Sequence, residues 1–289
     1  MRKVFRDPSA CTCLWAIHTG GVHLTKHHGL GNDFLVTFVD EVPAHGSELA
    51  VELCDRSTGI GADGLIFGMD QGSTVVMRLF NSDGSTAEIS GNGMRCFLQA
   101  VAMRRGVQSL ELDVDTLAGV RQCSYAATDD PAIGEASVDM GPVTDGDAPD
   151  GDDFLSDHSI DVSRWATGAV GNPHVVLEVD DPDSFDLATV GPQIEEHFPH
   201  GVNVHLVTVS GADALSLAVW ERGAGITQAC GSGATVAAQR FHDWGLVSET
   251  VTVNMPGGSA VVDVGTEERT SAILSGPTTY VGAVEVPRG

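Results

Sequence analysis

Two short glycine-containing segments carry the residues best suited to chemistry in this chain. Ser90-Gly91-Asn92-Gly93 and Cys230-Gly231-Ser232-Gly233 each precede a stretch with helical spacing of apolar residues. The first backbone N–H groups of such a helix are unpaired and can bind a carboxylate, which the glycines allow to approach closely. Each segment also presents a hydroxyl or thiol. Two such segments facing one another could invert an α-carbon, one residue removing a proton as base and the other delivering one as acid.

The two segments are 140 residues apart, and the same offset relates much of the chain to itself. Gly31-Asn32 falls on Gly171-Asn172, and both pairs are followed by strand-like residues. This ordered series of matches predicts a duplicated domain. We expect an α/β (α+β) fold with two pseudo-symmetric domains and the active site in the cleft between them. The predicted units are an N-terminal extension at 1–22, a first domain at 23–134 plus 276–289, and a second domain at 135–275.

The elements that hold the two segments can be predicted from local pattern. Helical spacing extends over 94–103 and 234–241, and Gly106 and Gly245 should end these helices. Each helix should therefore begin at one glycine segment and present its N-terminus to the cleft.

Composition limits the classes of partner. The 289 residues carry 40 acidic and 15 basic side chains, a formal charge of −25, which disfavours binding to nucleic acids and to anionic lipid surfaces. No apolar run approaches the roughly 18–20 residues needed to span a bilayer. The acidic residues concentrate at 128–131 and 145–153, which we interpret as solvated loops.

The cysteines and glycines show no cofactor signature. The six cysteines form no Cys-x-x-Cys pair and no Cys/His cluster with zinc spacing, so we expect no metal site. Neither a dinucleotide fingerprint nor a P-loop is present, and no cofactor is expected. Cys54, Cys96 and Cys123 fit core positions. Cys230 differs because it precedes a helix, whose dipole is expected to lower the pKa of its thiol.

Several polar residues near these segments suit an amino-acid substrate. Arg222 can pair with a carboxylate through two hydrogen bonds, and Glu221 can accept from an ammonium group. Taken alone, Asn32 is better explained as a turn residue, but its counterpart Asn172 favours a site role. His174 follows the repeated Gly-Asn pair, where a buried structural histidine and a functional one are equally compatible with the sequence.

Seven segments together resemble the diaminopimelate epimerase family, over about residues 23 to 286. They are His28–Phe34, Asp55–Gly64, Phe80–Ser85, Gly91–Gly93, Gly171–His174, Glu221–Gly225 and Ala229–Gly233. The resemblance implies two domains, each a β-barrel-like sheet around a central helix, with the last strand returning to the first domain. It also implies a cytoplasmic homodimer, independent of pyridoxal phosphate, that interconverts LL- and meso-diaminopimelate for lysine and peptidoglycan synthesis.

The resemblance assigns roles residue by residue. Cys230 and Ser90 occupy the places of the two catalytic cysteines, and His174 and Glu221 resemble the pair that modulates them. Gly91 and Asn92, with Gly231 and Ser232, take the carboxylate-binding turns. The implied substrate-holding residues are Asn32, Asn81, Asn172, Asn203, Glu221 and Arg222.

Two positions depart from the family pattern. Ser90 replaces a cysteine, and Ile226 stands where many members have glutamate. A hydroxyl is a much weaker acid than a thiol, so Ser90 leaves three interpretations open. It is a natural variant that still exchanges protons, an engineered substrate trap, or a sign of another epimerase, racemase or dehydratase reaction within the superfamily. A protein that binds an amino acid with impaired turnover is the alternative from a different functional class.

Overall fold

The computed structural model describes residues 21–151, 154–155 and 160–287. Most of the predicted N-terminal extension, with Cys11 and Cys13, and two of the aspartates of the 145–153 loop lie outside these residues. The first half contains these elements: β1 (Gly21–Gly29), β2 (Asn32–Phe38), α1 (Gly46–Cys54), β3 (Gly64–Asp70), β4 (Thr74–Asn81), β5 (Thr86–Ala87), α2 (Gly91–Arg105), β6 (Ser109–Thr116), β7 (Gly119–Ala127) and β8 (Ile133–Gly141).

The second half repeats this order with one further short 3₁₀ turn, Pro182–Ser184. Its elements are β9 (Arg164–Val170), β10 (Asn172–Glu178), α3 (Leu187–Glu195), β11 (Asn203–Gly211), β12 (Ala214–Glu221), β13 (Gly225–Ile226), α4 (Gly231–Asp243), β14 (Thr250–Met255), β15 (Gly258–Asp263) and β16 (Ala272–Pro287). Strands β2 and β3 are parallel neighbours, as are their counterparts β10 and β11. The predicted duplication and fold class are confirmed.

Each half wraps its strands around one helix. In the first half, β1-β2-β3-β4-β6-β7-β8-β16 pair in this order, and β16 returns to β1, which closes an eight-stranded barrel. In the second half the order is β9-β10-β11-β12-β14-β15-β16-β8. Thr144, just beyond β8, closes this barrel by exchanging two backbone hydrogen bonds with Ala169 of β9, at 3.1 and 3.0 Å.

Strands β8 and β16 belong to both barrels. The predicted domain borders at 134/135 and 275/276 therefore fall inside these strands and not between elements. Gly141-Pro142 ends β8, whereas its counterpart Gly276-Pro277 lies within β16, which continues to pair with β1. The halves are joined by continuous sheet, and the division into two units at those borders stays a prediction.

The central helices are buried on nearly every side because barrel strands surround them. Every residue of α2 from Gly91 to Ala102 is buried, as is every residue of α4 from Gly231 to Ala238. The polar residues that α2 buries there, Asn92, Arg95 and Gln99, donate hydrogen bonds to backbone carbonyl groups outside the helix. As predicted, Gly106 ends α2 in the left-handed conformation. Gly245, also left-handed, directly follows Trp244, the C-cap residue of α4. Both helix N-termini are consequently held rigidly at the centre of the molecule.

Three predictions outside the site can be compared with this fold. Cys54, Cys96 and Cys123 are buried free thiols, as expected for core residues. The described parts of the acidic segments are mostly exposed loop. Among the described residues, no helix combines the length and apolar character needed to cross a membrane.

The burial of His27 should make the stability of the protein depend on pH. His27 lies in β1, fully buried between Gln99 and Thr25 at 2.9 and 3.0 Å, and burial lowers its pKa to about 4. Between pH 6.5 and that value the unfolded chain binds a proton that the folded chain does not, so lower pH favours unfolding by about 1.4 kcal/mol per pH unit. When the pH is lowered from 7 to 5, the free energy of unfolding measured by urea titration should fall in both proteins. The fall should be about 2 kcal/mol smaller in His27→Gln than in wild type. Equal losses would contradict this explanation.

Candidate active site

The N-termini of α2 and α4 meet at the centre of the molecule. A Cβ atom placed on Gly91 would lie 3.5 Å from the Gly231 Cα and 2.4 Å from Leu274 Cδ2. A Cβ on Gly231 would in turn lie 3.2 Å from the Gly91 Cα. The two backbones are thus in contact, and glycine at both positions is what allows the two sets of unpaired N–H groups to converge.

A cleft of about 870 Å³ opens over this junction and is lined by both halves of the chain. The predicted site residues converge here, with one exception. His174 is fully buried and does not line the cleft. The predicted residues on the cleft wall are Asn32, Asn81, Ser90, Gly91, Asn92, Asn172, Asn203, Glu221, Arg222, Cys230, Gly231 and Ser232.

Ser90 and Cys230 occupy matching backbone positions. Ser90 has φ −140° and ψ 118°, and Cys230 has φ −125° and ψ 107°, so each is the extended residue that caps its helix. Ser90 Oγ accepts a hydrogen bond from the Gly93 N–H at 3.1 Å. The hydroxyl proton of Ser90 is not used in this bond. Ser90 therefore reaches the cleft with its own proton available for donation.

The environment of Cys230 corrects one expectation from sequence. The helix N-terminus was expected to lower the pKa of this thiol, but burial and the nearby Glu221 carboxylate raise it well above its ordinary value. The Gly233 N–H and the Ser232 hydroxyl act in the opposite direction without compensating. Cys230 is only 4% exposed, so loss of solvation outweighs the helix dipole.

Glu221 supplies a carboxyl group beside this thiol. It ends β12, its Oε1 accepts from the Thr227 hydroxyl at 2.5 Å, and it is within hydrogen-bonding reach of Cys230. Burial raises the pKa of Glu221. The two groups lie close enough for a proton to pass directly between them. Ile226, the second departure from the family pattern, is 54% exposed at the cleft rim.

Behind Cys230, two buried histidines form a chain of hydrogen bonds with defined direction. Burial lowers the pKa of His205 to about 3 and that of His174 well below its usual value, so each ring carries one N–H. His174 Nε2 donates to Asn172 Oδ1 at 3.0 Å. His174 Nδ1 therefore accepts from His205 Nε2, 2.8 Å away. His205 Nδ1 is left as a buried acceptor with no partner among the described residues.

The same place in the first half holds no titratable group. In the paired strands Phe34 lies opposite Gly64 as His174 lies opposite Asn203, so Phe34 and Ile66 occupy the positions of His174 and His205. Both are buried apolar side chains. The protein is therefore symmetric in backbone and asymmetric in chemistry, because the thiol side has the two histidines and Glu221 while the hydroxyl side has apolar packing.

Gly233 is required by this packing. A Cβ atom at Gly233 would lie 2.1 Å from His205 Cε1, whereas one at the equivalent Gly93 would lie 3.3 Å from Ser90 and 3.4 Å from Phe34. Gly233→Ala should therefore destabilise the protein by about 1–3 kcal/mol through overpacking, as measured by urea unfolding. Gly93→Ala is the matched control and should lower the free energy of unfolding clearly less. Equal losses in the two variants would show that the His205 ring moves aside at little energetic cost.

Asparagines connect the two helix ends. Asn92 donates to Asn32 Oδ1 at 3.2 Å and to the carbonyl of Ala229 at 3.0 Å, and it accepts from Arg95 at 2.7 Å. Arg95 is fully buried and thereby fixes the orientation of the Asn92 amide. Because Ala229 immediately precedes Cys230, this network sets the position of the thiol segment against α2.

The remaining polar residues are held by local bonds. Asn203 accepts from the Arg222 backbone N–H at 3.0 Å and donates to the Pro173 carbonyl at 2.8 Å. The Arg222 guanidinium is exposed and donates to the His200 carbonyl at 2.5 Å. Asn81 donates to Ser85 Oγ at 2.9 Å. Arg222 therefore places a positive charge at the mouth of the cleft.

The structure adds residues that were not assigned to the site from sequence. Asp63 accepts from Asn32 at 2.7 Å and pairs with Arg56, also at 2.7 Å, and both line the cleft. They lie within the segment Asp55–Gly64 that carries the resemblance, so a signal was present. For His205 the only signal was strand alternation, which puts it on the same face as Asn203. Thr227 matches the threonine of the family's Gly-Ala-Gly-Glu-Thr pattern but was given no role.

Comparison with known proteins agrees with this geometry. The family model for diaminopimelate epimerase matches residues 24–145 and 167–281. The diaminopimelate epimerase of Desulfitobacterium hafniense is 37% identical over 278 residues, covering 90% of this chain and 96% of that protein. The Synechocystis enzyme is 38% identical over 277 residues, covering 89% and 96%.

Solved structures share the fold at lower identity. A predicted epimerase from Pseudomonas aeruginosa superimposes with a TM-score of 0.74 at 16% identity, covering 93% of this chain and all of that one. A hydroxyproline epimerase from Agrobacterium vitis gives a TM-score of 0.69 at 15% identity, with 92% of each chain covered. The match in sequence over most of its length, together with the paired-barrel fold, places this chain in the diaminopimelate epimerase family.

Proposed function

We propose that the protein is a cofactor-independent isomerase that converts LL- to meso-diaminopimelate by two-base proton transfer. The observation that carries this proposal is the meeting of two helix N-termini with Ser90 and Cys230 at equivalent places on either side. Family membership supplies the substrate. The geometry supports the reaction because a carboxylate bound at the shared helix ends would present its α-carbon to both side chains.

The cleft offers groups for each part of the substrate. Backbone N–H groups of the turns at Gly91-Asn92 and Gly231-Ser232 would bind the reacting carboxylate and stabilise charge that develops on it as the α-proton leaves. Arg222 would pair with the distal carboxylate. The carboxyl group of Glu221 and the carbonyl oxygens of Asn32, Asn81, Asn172 and Asn203 would accept from the ammonium groups.

The proton transfers divide between the two helix ends. The Cys230 thiol gives its proton to Glu221, and the resulting thiolate removes the α-proton from one face of the substrate. Ser90 donates its hydroxyl proton to the other face, and the N–H groups at the start of α2 stabilise the alkoxide that forms. After product release, exchange with solvent removes the proton from Glu221 and returns one to Ser90. The Ser90 step is the more costly of the two because a hydroxyl is the weaker acid.

The substrate can be tested directly with a panel of amino acids. The purified protein is incubated with LL-diaminopimelate, L-proline and trans-4-hydroxy-L-proline, and isomers are separated by chiral chromatography. We expect meso-diaminopimelate and no change in the two proline compounds. Inversion of a proline compound alone would assign the protein to another reaction of the superfamily. Binding of diaminopimelate without conversion would support a binding protein with impaired turnover.

The raised pKa of Glu221 predicts the acid limb of the pH profile. Glu221 must be ionised to accept the thiol proton, so kcat/KM should fall with decreasing pH through a pKa above the ordinary 4.5 of glutamate. Glu221→Gln should remove this limb and lower kcat/KM by about 100-fold. It should also shift alkylation of Cys230 to lower pH, because the negative charge that raises the thiol pKa is gone. A limb that survives the substitution would belong to another group.

We also propose that the protein acts in the cytoplasm as a homodimer. The family resemblance supports both statements. Light scattering coupled to size-exclusion chromatography should give twice the 30.1 kDa mass of one chain. A mass of one chain at micromolar concentration would contradict the dimer.

A further inference from the structure

Two imidazole nitrogens and one thiol sulfur, atoms able to bind a metal ion, converge beneath the cleft. One ring nitrogen each of His174 and His205 and the Cys230 Sγ all lie within 4.8 Å of one another. All three residues are buried, with exposed fractions of 0%, 0% and 4%. The proposed reaction uses the Cys230 thiol but gives His205 no task.

We propose that His174, His205 and Cys230 form a binding site for a borderline divalent cation, represented by Zn²⁺, and that its occupation withdraws Cys230 from catalysis. Binding stands independently of the proposed function, and only the inhibition rests on it. Two imidazoles and a thiolate are a ligand set that selects zinc-like cations over Mg²⁺ and Ca²⁺, which prefer oxygen.

A cation is bound here only if the three ligand atoms, now within 4.8 Å of one another, adopt tetrahedral spacing and the two imidazole rings turn so that both lone pairs point at it. Tetrahedral zinc, with bonds of 2.0–2.3 Å, separates its N and S ligands by roughly 3.3–3.6 Å. His174 Nδ1 and His205 Nε2 are now 2.8 Å apart, so the rings must separate by about half an ångström to replace their shared proton by a cation. The proton displaced from the histidine pair moves to the free Nδ1 of His205 or leaves with the thiol proton to solvent.

The surroundings supply the other features of a metal site. Asn172 Oδ1 accepts a hydrogen bond from His174 Nε2 at 3.0 Å and so fixes the ring. Histidines that bind metals are commonly held by such a hydrogen bond from their other ring nitrogen. Cys230 lines the cleft, so a cation has an entry path. The formal charge of −25 concentrates cations near the protein.

No spacing pattern along the chain indicates this site, because its ligands lie far apart in sequence. His174 and His205 are 31 residues apart and come together only because β10 and β11 pair in parallel. Cys230 joins them through the start of α4, with Gly233 leaving room for the His205 ring. The expectation of no metal site rested on spacing patterns that a site assembled from separate strands does not show.

Cobalt provides the direct test. Co²⁺ is added to full-length protein in which Cys11 and Cys13, outside the described residues, are replaced by serine so that only this site is measured. We expect one equivalent to bind with a tetrahedral visible spectrum and a near-ultraviolet thiolate-to-cobalt band. Cys230→Ser should remove that band, and His205→Gln should weaken Co²⁺ binding by at least about 100-fold. The controls Cys123→Ser and His27→Gln, matched as a buried cysteine and a buried histidine, should bind as before.

Further readouts keep the proposal falsifiable where a variant misfolds. In the unsubstituted site, Zn²⁺ should protect Cys230 from iodoacetamide, with the modified peptide quantified by mass spectrometry, and should inhibit epimerisation with EDTA restoring it. Octahedral spectra without a thiolate band, unchanged by Cys230→Ser, would show that cobalt binds only surface carboxylates and would overturn the site. Binding with the thiolate band in a protein that lacks epimerase activity even after EDTA has removed the metal would refute the proposed function and leave the metal site standing.

Discussion

Cys230→Ala is expected to lower kcat/KM for diaminopimelate by about 10²- to 10⁴-fold, the usual contribution of a general base or acid. Cys230 is the only free cysteine among the described residues that lines the cleft. In the proposed reaction Glu221 deprotonates this thiol, and alanine leaves nothing to remove the α-proton from that face. The substitution leaves the N–H groups of α4 in place, so the dissociation constant for substrate should change little.

Two comparisons separate chemistry from packing. Cys230→Ser places a hydroxyl at both helix ends and should be nearly as inactive as the alanine variant, because a hydroxyl is about seven pKa units weaker than a thiol. Cys123→Ala removes a buried cysteine of β7 and should keep its activity. If Cys230→Ala retained about half of wild-type turnover, the thiol would not be the base.

Ser90→Cys is expected to raise kcat by at least about tenfold, which requires only about 1.4 kcal/mol of the barrier. Seven pKa units correspond to roughly 10 kcal/mol as an upper bound on the handicap of serine. The gain should be much smaller than this bound because burial would raise the pKa of the new thiol, as it does at Cys230. The turnover number measured at substrate saturation is the relevant quantity.

Ser90→Ala is the matched control for this gain. It removes the bond from Ser90 Oγ to the Gly93 N–H, so it should cost about 1 kcal/mol of stability as a lost helix cap. It should also lower kcat by about 100-fold if the hydroxyl delivers a proton. An unchanged or lower rate in Ser90→Cys would show that the site is adapted to the hydroxyl, which favours another superfamily reaction.

Local sequence determined much of the fold and of the cleft. The glycine segments at 90–93 and 230–233 encode a turn followed by a helix. Their repetition at an offset of 140 residues was the basis for predicting a duplicated domain. All predicted site residues except His174 line one cleft. The positions of these residues depend on motifs whose conformation is set mainly by neighbouring residues, such as the left-handed glycines that follow the two central helices.

The features that were missed depend on contacts distant in sequence. The thiol pKa is raised because barrel strands bury Cys230 beside Glu221, which no local pattern encodes. The His174–His205 pair arises from parallel strand pairing across 31 residues. The domain borders at 134/135 and 275/276 stay a prediction; they fall within β8 and β16, which both barrels share and where no turn marks a border.

The most direct test of two-base inversion follows hydrogen at the α-carbon. LL-diaminopimelate is incubated with the protein in deuterated water, and both the isomer and the α-hydrogen are followed by NMR at early times. We predict that each newly formed meso molecule carries deuterium at the inverted carbon while the remaining LL substrate stays protiated, since Cys230 and Ser90 act on opposite faces. Deuterium entering the LL substrate without formation of the meso isomer would mean that Cys230 acts alone and would contradict the account.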